Sequence, residues 1–402
     1  MFEINGKYAT AKCYATNIEQ EAIDQIQSMC DMVFTEGQNI AIMPDAHAGK
    51  GCTIGTTMTV KDKVCPNIVG VDLNCGVLTV DLGVDHIDFK KLDEICHIIP
   101  HGRDVWDGRK KNFDLTQLAC YRYLNDVKRI KKSIGTLGGG NHFLEISRSE
   151  TGKLYLVIHS GSRNLGKQVA EYYQNIAIQL HSGFEDLFKA RQTIIDTYKA
   201  EGRRTEIQGA LADLNRNFKQ HKCEVPKDLA FLYGQWFDDY IGDVRIIKDF
   251  ANLNRETMAE VICDYLKITP VSMFHTIHNY IDVDEMILRK GAISAKKDEL
   301  VIIPLNMRDG SVIAKGRGNE GWNNSGPHGA GRVMSRTKAR ETLSLEKFQN
   351  DMKDVYTTTV NESTIDEAPD AYKSKEDIIG PISESVDVIE IMKPLYNFKA
   401  AK

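Results

Sequence analysis

Short apolar runs that end directly in glycine-rich polar loops set the strongest limit on how this chain folds. Between residues 37 and 83, IAIMP leads into DAHAGKGCTIGTT, and NIVGVDLNCGVLTVDLG follows. The same arrangement recurs in SIGTLGGGNHFLEI (133–146) and in KLYLVIHSGSRNLG (153–166). Short apolar runs bounded by glycine are typical of strands. The pattern therefore predicts strands that deliver glycine-rich loops.

The middle of the chain has a different pattern. From Lys167 to about Leu266, long polar–apolar periodic segments predict helices, with the charged stretch 200–227 as an exposed connection between them. Strand-like runs return at ELVIIPLNM and SVIAKG, joined by a predicted hairpin turn at 308–310, and region 341–380 is charged and helical in pattern. Together these patterns predict an α+β fold, in which a central mixed sheet region carries a helical insertion at about 167–266.

Composition excludes several classes of protein. The 402 residues, 42% of them apolar, suit one large domain or two closely packed ones. No apolar run approaches a membrane span, and MFEINGKYATAK lacks a signal-peptide core, so we expect a cytoplasmic protein with no membrane partner. The nine cysteines never form CxxC, which argues against a disulfide framework or a zinc ribbon. With a net charge of −5, any site for RNA or phosphate must be local.

One of the loops carries an aspartate and a cysteine that could bind a metal. Asp72 and Cys75 lie three residues apart beside glycine in GVDLNCGV, and they could supply a hard oxygen and a soft thiolate to one divalent ion. In isolation, a turn aspartate and a buried cysteine explain this stretch better. The loop MPDAHAGKG carries Asp45, His47 and Lys50, and a turn in which Asp45 caps backbone amides explains it as well as a functional site does.

Histidines strengthen the case for metal binding. His142, His159, His278 and His328 lie beside small residues or asparagine rather than inside charged helices. In FHTIHNY, at least one of His275 and His278 is expected to be structural. With Asp72 and Cys75, these histidines provide enough ligands for two ions if a thiolate bridges them. Ligand type alone leaves manganese, zinc and iron open.

The loop GTLGGGNHFLEI offers a place for a phosphate. Backbone amides of a glycine run can approach a phosphate closely, and Asn141, Phe143 and Glu145 follow the run at once. The glycine run alone is weak evidence, but the polar residues behind it favour a binding site.

His328, in GWNNSGPHGAGRVMSR, is the histidine with the least bulk beside it. Its small neighbours argue against packing, and Gly329, Ala330 and Gly331 supply space and backbone N–H groups. Arg332 and Arg336 lie four apart, so they could hold phosphate oxygens. A nucleophile that attacks phosphorus needs these features. From the residues alone, both a metal ligand and a nucleophile remain open.

Taken together, these stretches resemble the RNA-splicing ligase RtcB family. The resemblance rests on MPDAHAGKG, GVDLNCGV, GTLGGGNHFLEI, VIHSGSRNLG, FHTIHNY and GPHGAGR in the family's order, with RKGA (289–292), DEAPDAYK (366–373) and the closing 397–399. It covers nearly the whole chain. It implies one large α+β domain over residues 1–402, with glycine-rich active-site loops.

The resemblance also implies two Mn²⁺ ions and GTP as co-substrate. By position, Asp72, Cys75 and His142 match the ligands of one ion, and Cys75, His159 and His278 match those of the other. His278 fits rather than His275 because the family's ligand immediately precedes an asparagine. His328 matches the histidine that becomes covalently guanylylated, which separates it from the metal ligands.

Other residues match by position the family's contacts to nucleotide and phosphate. The guanosine nucleotide would be bound by Asn141, Phe143, Glu145, Asn279, His328, Gly329, Ala330, Gly331, Tyr372 and Lys399. Arg163, Lys290 and Arg336 are similar to basic residues that hold phosphate or RNA ends, and Asp45 is similar to an essential acid. The chain departs from the family at 305–308, which reads LNMR, and at Pro327, so the family's serine contacts do not carry over.

The implied activity is GTP-dependent joining of RNA 2′,3′-cyclic phosphate or 3′-phosphate ends to 5′-hydroxyl ends, in RNA repair or tRNA splicing. The reaction would pass through histidine–GMP and an RNA end activated by GMP, on tRNA or rRNA fragments, and an activating protein could take part. Lys50, Arg163, Lys290, Arg332 and Arg336 could form a basic groove around the metals. The alternatives are a dinuclear metallophosphoesterase that acts on RNA ends and a metal- and nucleotide-binding protein without turnover.

Overall fold

A computed structural model of the chain describes residues 1–49, 51–219 and 221–400. The strands are β1 (Phe2–Asn5), β2 (Thr10–Cys13), β3 (Ile40–His47), β4 (Ile54–Thr59), β5 (Lys63–Val64), β6 (Gly76–Asp81), β7 (Phe143–Arg148), β8 (Leu154–Ser160), β9 (Leu232–Tyr233), β10 (Ser272–Ile277), β11 (Asn279–Asp282), β12 (Ile287–Lys290), β13 (Ala292–Ser294), β14 (Leu300–Asn306), β15 (Gly310–Gly316), β16 (Ser325–Pro327) and β17 (Val386–Lys399). The helices are α1 (Gln20–Cys30), α2 (Pro66–Val69), α3 (Phe89–Ile98), α4 (Val127–Lys132), α5 (Arg163–Gln179), α6 (Glu185–Ala200), α7 (Ile207–Asn217), α8 (Gln235–Leu266), α9 (Arg336–Thr342), α10 (Leu345–Asp351) and α11 (Lys375–Ile382).

Most of the strands form two large sheets rather than one central region, while β5 pairs with β9 and β13 pairs with β16. The first has the order β1-β2-β3-β4-β12-β11 and is mixed, because β2 and β3 are parallel while its other pairs are antiparallel. The second has the order β10-β6-β8-β7-β17-β15-β14 and is antiparallel throughout. The mixture of helix and sheet that the sequence predicts is confirmed, and the predicted hairpin is β14–β15.

The central part of the chain is mainly helical. The helices α5, α6, α7 and α8 follow one another, and residues Ser182 and Gly183 interrupt the helical geometry between α5 and α6. The stretch 200–227 was expected to be a connection, but it contains α7, whose described residues are all at least partly exposed. Spaced apolar residues place one face of α7 against α6, which explains a helix in such a polar segment.

Buried apolar side chains join the helices to the sheets. One large core cluster packs α5 and α8 against β3, β4 and α1, and another lies between α3, α8 and the inner strands of the seven-stranded sheet. Helix α8, with 32 residues, contributes to both clusters. Across residues 1–49, 51–219 and 221–400, none of the helices combines the length and apolar character that a membrane crossing requires.

Candidate functional site

The five predicted metal ligands come together at one edge of the seven-stranded sheet. Cys75 directly precedes β6, His142 directly precedes β7, His159 lies near the end of β8, and His278 directly follows β10. Because neighbouring strands run antiparallel, the start of one lies beside the end of the next. Asp72 reaches the same edge from the loop between α2 and β6.

Cys75 stands between two groups of ligand atoms. Its Sγ lies 3.4 Å from Nε2 of His142 and 3.3 Å from Nε2 of His159. Nε2 of His159 is 3.3 Å from Nε2 of His278, and Nε2 of His142 is 3.1 Å from Oδ2 of Asp72. Two sets of three therefore share Cys75, and within each set the ligand atoms lie within 4.8 Å of one another.

Backbone carbonyls fix how two of these histidines are protonated. Nδ1 of His142 lies 2.8 Å from the carbonyl oxygen of Leu137, and Nδ1 of His159 lies 3.0 Å from that of Asn141. A carbonyl only accepts, so each Nδ1 carries the proton and each Nε2 turns a lone pair towards Cys75. Burial also lowers the pKa of His159 well below its usual value, which keeps the ring neutral.

The thiol of Cys75 has an environment that disfavours its free thiolate. Burial first, and then the charge of Asp72, raise the pKa of Cys75 well above its ordinary value. A bound divalent cation deprotonates a coordinating thiol outright. The cluster thus consists of facing acceptors and a buried thiol, and this is a donor set that a divalent cation would satisfy.

A buried arginine of α8, which the sequence analysis missed, holds the backbone behind the ligands. Nη1 of Arg255 donates to the carbonyl oxygens of Asn74, at 3.0 Å, and Ser160, at 2.7 Å. These residues adjoin Cys75 and His159 in the chain. Arg255 therefore ties two ligand-bearing segments to one helix.

The neighbouring Asn254 does the same for the glycine-rich loop. Its Oδ1 accepts from the amide of Gly135 at 2.8 Å, and its Nδ2 donates to the carbonyl of Gly161 at 3.0 Å. Both α8 residues are fully buried. The signal in the sequence was the adjacent polar pair inside the helical run FANLNRETMAEV, which has no place on an apolar helix face.

His328 lies beside the cluster but belongs to neither set of ligands. Its ring centroid is 5.1 Å from that of His278, and its Nδ1 lies 2.8 Å from Oδ2 of Asp45. Asp45 is fully buried inside β3 rather than in the turn that would have explained it as a cap. If the carboxylate accepts from Nδ1–H, Nε2 of His328 keeps its lone pair, and the 22% exposed side chain leaves it accessible.

The loop of His328 can lie close to β3 because residue 331 is a glycine. Gly331 has a φ of +67°, and a Cβ there would come within 2.6 Å of the carbonyl oxygen of Asp45. Any larger residue at 331 would push the loop of His328 away from β3.

A cavity of about 240 Å³ opens beside His328. One wall is a row of paired residues across the sheet, because Val77, His159, Phe143 and Lys399 stand in register on β6, β8, β7 and β17. The predicted nucleotide residues that line the cavity are Asn141, Phe143, Glu145, His328, Gly329, Ala330, Gly331, Tyr372 and Lys399, and Arg336 lines it as well.

Glu145 lies at the back of this cavity. Its carboxylate accepts from Ser147 Oγ at 2.6 Å and from Asn397 Nδ2 at 2.9 Å. Burial raises the pKa of Glu145 to about 7, while these hydrogen bonds and Lys399 act in the opposite direction. The group therefore changes charge near neutral pH.

A second buried carboxylate, that of Glu367, pairs with the basic residues of the cavity. Its oxygens lie 3.4 Å from Arg332 Nη1 and 3.2 Å from Arg336 Nη2, and they accept from Lys399 Nζ and, at 2.7 Å, from Tyr372 Oη. Burial alone would raise its pKa, but Lys399 and Arg336 hold the pKa below the ordinary value. Sequence reasoning did not single out Glu367, although it lies within DEAPDAYK.

Three predicted contact residues do not line the cavity. Arg163 donates from Nε to Thr136 Oγ1 at 3.1 Å and from Nη2 to the Gly102 carbonyl at 2.9 Å. Lys290 donates to the carbonyl of Asn67 at 3.1 Å, and Oδ1 of Asn279 accepts from the amide of Gly291 at 2.9 Å. Lys50 lies outside the described residues.

Both departures from the family pattern lie near His328. Leu305, Asn306 and Met307 line the cavity at the end of β14, and Pro327 pairs with Ala292 in a two-stranded sheet directly before His328. The cavity is therefore more apolar here than a serine-containing loop would make it.

Comparison with known proteins identifies the family of this chain. The family model described as tRNA-splicing ligase RtcB matches residues 25–127 and 115–400. The RNA-splicing ligase RtcB of Escherichia coli K12 is 32% identical, over 94% of this chain and 93% of its own length. The tRNA-splicing ligase RtcB of the archaeon Aeropyrum pernix is 25% identical, over 88% of this chain and 86% of its own length. The chain therefore belongs to the RtcB family.

Proposed function

We propose that this chain is a GTP-dependent RNA ligase. It joins RNA 2′,3′-cyclic phosphate or 3′-phosphate ends to 5′-hydroxyl ends, in RNA repair or tRNA splicing. One observation carries the proposal: a cluster of facing metal-ligating atoms adjoins His328, which opens onto a cavity of about 240 Å³ while Asp45 accepts from its other nitrogen. The names of the matched relatives support the same activity. Residues 1–402 act as one domain in this proposal.

Two Mn²⁺ ions would be held by the clustered side chains. Asp72, Cys75 and His142 would bind one, and Cys75, His159 and His278 the other. When bound, the ions would neutralise charge on phosphate oxygens near His328.

The cavity suits a guanine nucleotide. The ionised carboxylate of Glu145 would accept hydrogen bonds from N1 and N2 of guanine, a pair of donors that the edge of adenine lacks. Phe143 and Tyr372 offer ring faces for stacking, and Arg336 and Lys399 supply positive charge.

A 2′,3′-cyclic phosphate end would first be opened by water to a 3′-phosphate, with cleavage of the bond to the 2′-oxygen. Ligation of the 3′-phosphate end would then take three displacements at phosphorus. Nε2 of His328 attacks the α-phosphorus of GTP, an N–P bond forms, and pyrophosphate leaves with the broken P–O bond, while Asp45 stabilises the Nδ1 proton. An oxygen of the RNA 3′-phosphate then attacks the same phosphorus, which frees His328 and leaves GMP on the RNA end. Finally the 5′-hydroxyl oxygen attacks the RNA 3′-phosphorus, and GMP leaves.

The two alternatives explain less of the site. A dinuclear phosphoesterase needs the metal ligands but has no use for a histidine that is excluded from them and tied to a buried aspartate. A binding protein without turnover would equally have no use for the accessible Nε2 of His328.

Labelling with GTP tests the proposal. The protein with Mn²⁺ and GTP labelled at the α-phosphate should form a protein–GMP adduct that acid destroys and alkali leaves intact. His328→Ala should abolish the adduct, whereas His275→Ala, a matched change outside the cavity, should keep it. Phosphate release from RNA ends without an adduct would support the esterase, and nucleotide binding without either would support the binding protein. Repeating the assay with ATP tests guanine selectivity against the altered 305–308 loop.

A further inference from the structure

A strongly basic segment of an otherwise acidic chain lies next to the metal-ligating cluster. Residues 101–132, called the basic segment here, contain nine lysines and arginines against four aspartates, which gives a local net charge of +5 where the whole chain has −5. A charge of opposite sign to the rest of the surface directs an anionic polymer to one place. Neither the proposed ligation chemistry nor the nucleotide cavity uses this segment.

Most of the lysines and arginines of the basic segment are exposed, and few of them form ion pairs. The exposed ones are Arg103, Arg109, Lys110, Arg122, Lys128 and Arg129. Within the described chain, the ion pair of Lys111 with Glu260, at 2.6 Å, is the single one that these nine cations make. Their positive charge is therefore available to a partner.

Backbone contacts attach the basic segment to the wall of the site. The amide of Gly102 donates to the carbonyl of Gly138 at 2.8 Å, and Leu137, the preceding residue, accepts from Nδ1 of the predicted ligand His142. Arg163 also donates to the carbonyl of Gly102. The basic segment therefore begins at the wall of the site, next to the loop that carries His142.

The basic segment is a folded surface rather than a loose tail. Nη2 of Arg129 donates to the carbonyl of Arg103 at 2.5 Å, and the amide of Trp106 donates to the carbonyl of Lys132 at 3.3 Å. Trp106 is anchored by its Nε1, which donates to Gly135 at 2.9 Å, and Lys110 Nζ lies 4.1 Å from its ring centroid. Fixed cations with an aromatic ring among them are typical of surfaces that bind single-stranded nucleic acid.

We infer that the basic segment binds the phosphates of the RNA strand whose 3′-phosphate end enters the site beside Asp72 and His142. The inference rests on the proposed function for the identity of the partner. RNA supplies the regularly spaced negative charge that matches these cations, and the release of its counterions would drive binding.

A charge-reversal comparison tests the inference. The test protein carries Arg109→Glu, Lys110→Glu and Lys128→Glu, and a control with the same change in net charge carries Lys199→Glu, Arg204→Glu and Lys219→Glu, exposed positions in or beside α6 and α7. The probe is a short single-stranded RNA that ends in a 3′-phosphate, titrated over a range of salt concentrations. We expect the test protein to bind at least about tenfold more weakly and to lose about two to three units of salt dependence, while the control keeps nearly all of its affinity.

Separate measurements distinguish this inference from the proposed function. Formation of the GMP adduct needs no RNA, so it reports on folding and on the site, and a second variant with glutamine at the three test positions repeats the comparison without new negative charge. Equal RNA affinity of test and control proteins, or no RNA binding by the unaltered protein, overturns the inference. Loss of RNA binding in the test protein alone supports it, even if the unaltered protein forms no adduct, a result that would overturn the ligase proposal instead.

Discussion

The cluster of predicted metal ligands and the cavity proposed to bind the nucleotide share an edge of the sheet but differ in how their charges are balanced. Around Cys75, lone pairs face one another, and the protons of His142 and His159 point away to backbone carbonyls. In the cavity, by contrast, Glu367 already pairs with Arg332, Arg336 and Lys399. A divalent cation would complete the first region, whereas the charge of Glu367 in the second is already paired with cations of the chain. A metal ion would therefore complete the cluster, whereas a nucleotide phosphate would compete with Glu367 for the basic residues of the cavity.

The largest expected effect comes from the atom that the two ligand sets share. In Cys75→Ser, a hydroxyl that stays protonated replaces a thiolate, so neither set keeps its bridging ligand. We expect Mn²⁺ affinity and the rate of adduct formation to fall at least about ten-thousandfold, since a change behind a single ligand already costs up to about a hundredfold and both ligand sets lose a direct ligand. Titration of Mn²⁺ and labelling with GTP measure the two effects.

Cys96→Ser is the matched control, because Cys96 is also buried but belongs to α3 and packs in the apolar core away from the ligands. It should keep both Mn²⁺ ions. If Cys75→Ser bound two ions as tightly as the control did, Cys75 would not be a ligand shared by two ions. The cluster would then not depend on a cation in the way that distinguishes it from the cavity.

The second effect lies at the border of the two regions. Asp45→Asn can turn an amide N–H towards Nδ1 of His328, which would move the ring proton to Nε2 and block attack. We expect adduct formation to slow by about a hundredfold to ten-thousandfold, as when the aspartate of a catalytic triad is replaced by asparagine. Mn²⁺ and GTP affinities should change little.

The control here is Asp243→Asn, another buried aspartate, which accepts from the backbone of Ala119 and Cys120 and from Tyr173 away from the cavity. It should lower stability and leave the rate per folded molecule intact. An unaltered rate in Asp45→Asn would contradict the role of Asp45 as the group that orients His328.

The sequence predicted which residues form the metal-ligating cluster, but it did not predict which residue pairs with the basic side chains of the cavity. Loops that border apolar runs lie at the ends of strands, and antiparallel pairing then brings Cys75, His142 and His159 together. The contacts of Glu367 and Arg255 depend on where distant segments pack, and no local pattern encodes them. The same limit explains why Asp45 could be taken for a turn residue, and why two sheets were expected as one.

A third prediction concerns pH and the cavity alone. The pKa of Glu145 is raised to about 7, mainly by burial, so the carboxylate that would accept from guanine forms only as pH rises through this value. Affinity for GTP should then increase with pH by up to about tenfold per unit below 7 and level off above it. Titration of GTP binding in the absence of metal, at several pH values, measures this dependence.

Glu145→Gln should flatten this profile and narrow the preference for GTP over ATP, because the amide presents one acceptor oxygen and one NH₂ donor in place of two acceptor oxygens. The protonated carboxyl also favours folding at low pH, so the contribution of Glu145 to stability is present below its unfolded pKa and is lost as pH rises through about 7. A pH profile of GTP binding that is identical in Glu145→Gln would remove Glu145 from the nucleotide contacts.

The smallest effect is expected at His275, which is three residues from His278 but belongs to neither region. Its Nε2 lies 2.9 Å from Oε1 of Glu256, and its Nδ1 accepts from Nε of Arg255 at 3.3 Å. This neutral ring therefore acts behind the cluster, through an arginine that keeps two carbonyl contacts of its own. We expect His275→Asn to change adduct formation by no more than about threefold, whereas His278→Asn should lose one Mn²⁺.

Acid unfolding supplies a second measurement of the same variant. Burial first, and then Arg255, lower the pKa of His275 from 6.5 to about 4. Between these values the unfolded chain takes up a proton that the folded chain refuses, so acidification favours unfolding. His275→Asn lacks this titration and should lose less stability than the unaltered protein as pH falls from 6.5 towards 4. If it instead lost Mn²⁺ as His278→Asn does, His275 would have to be counted among the ligands.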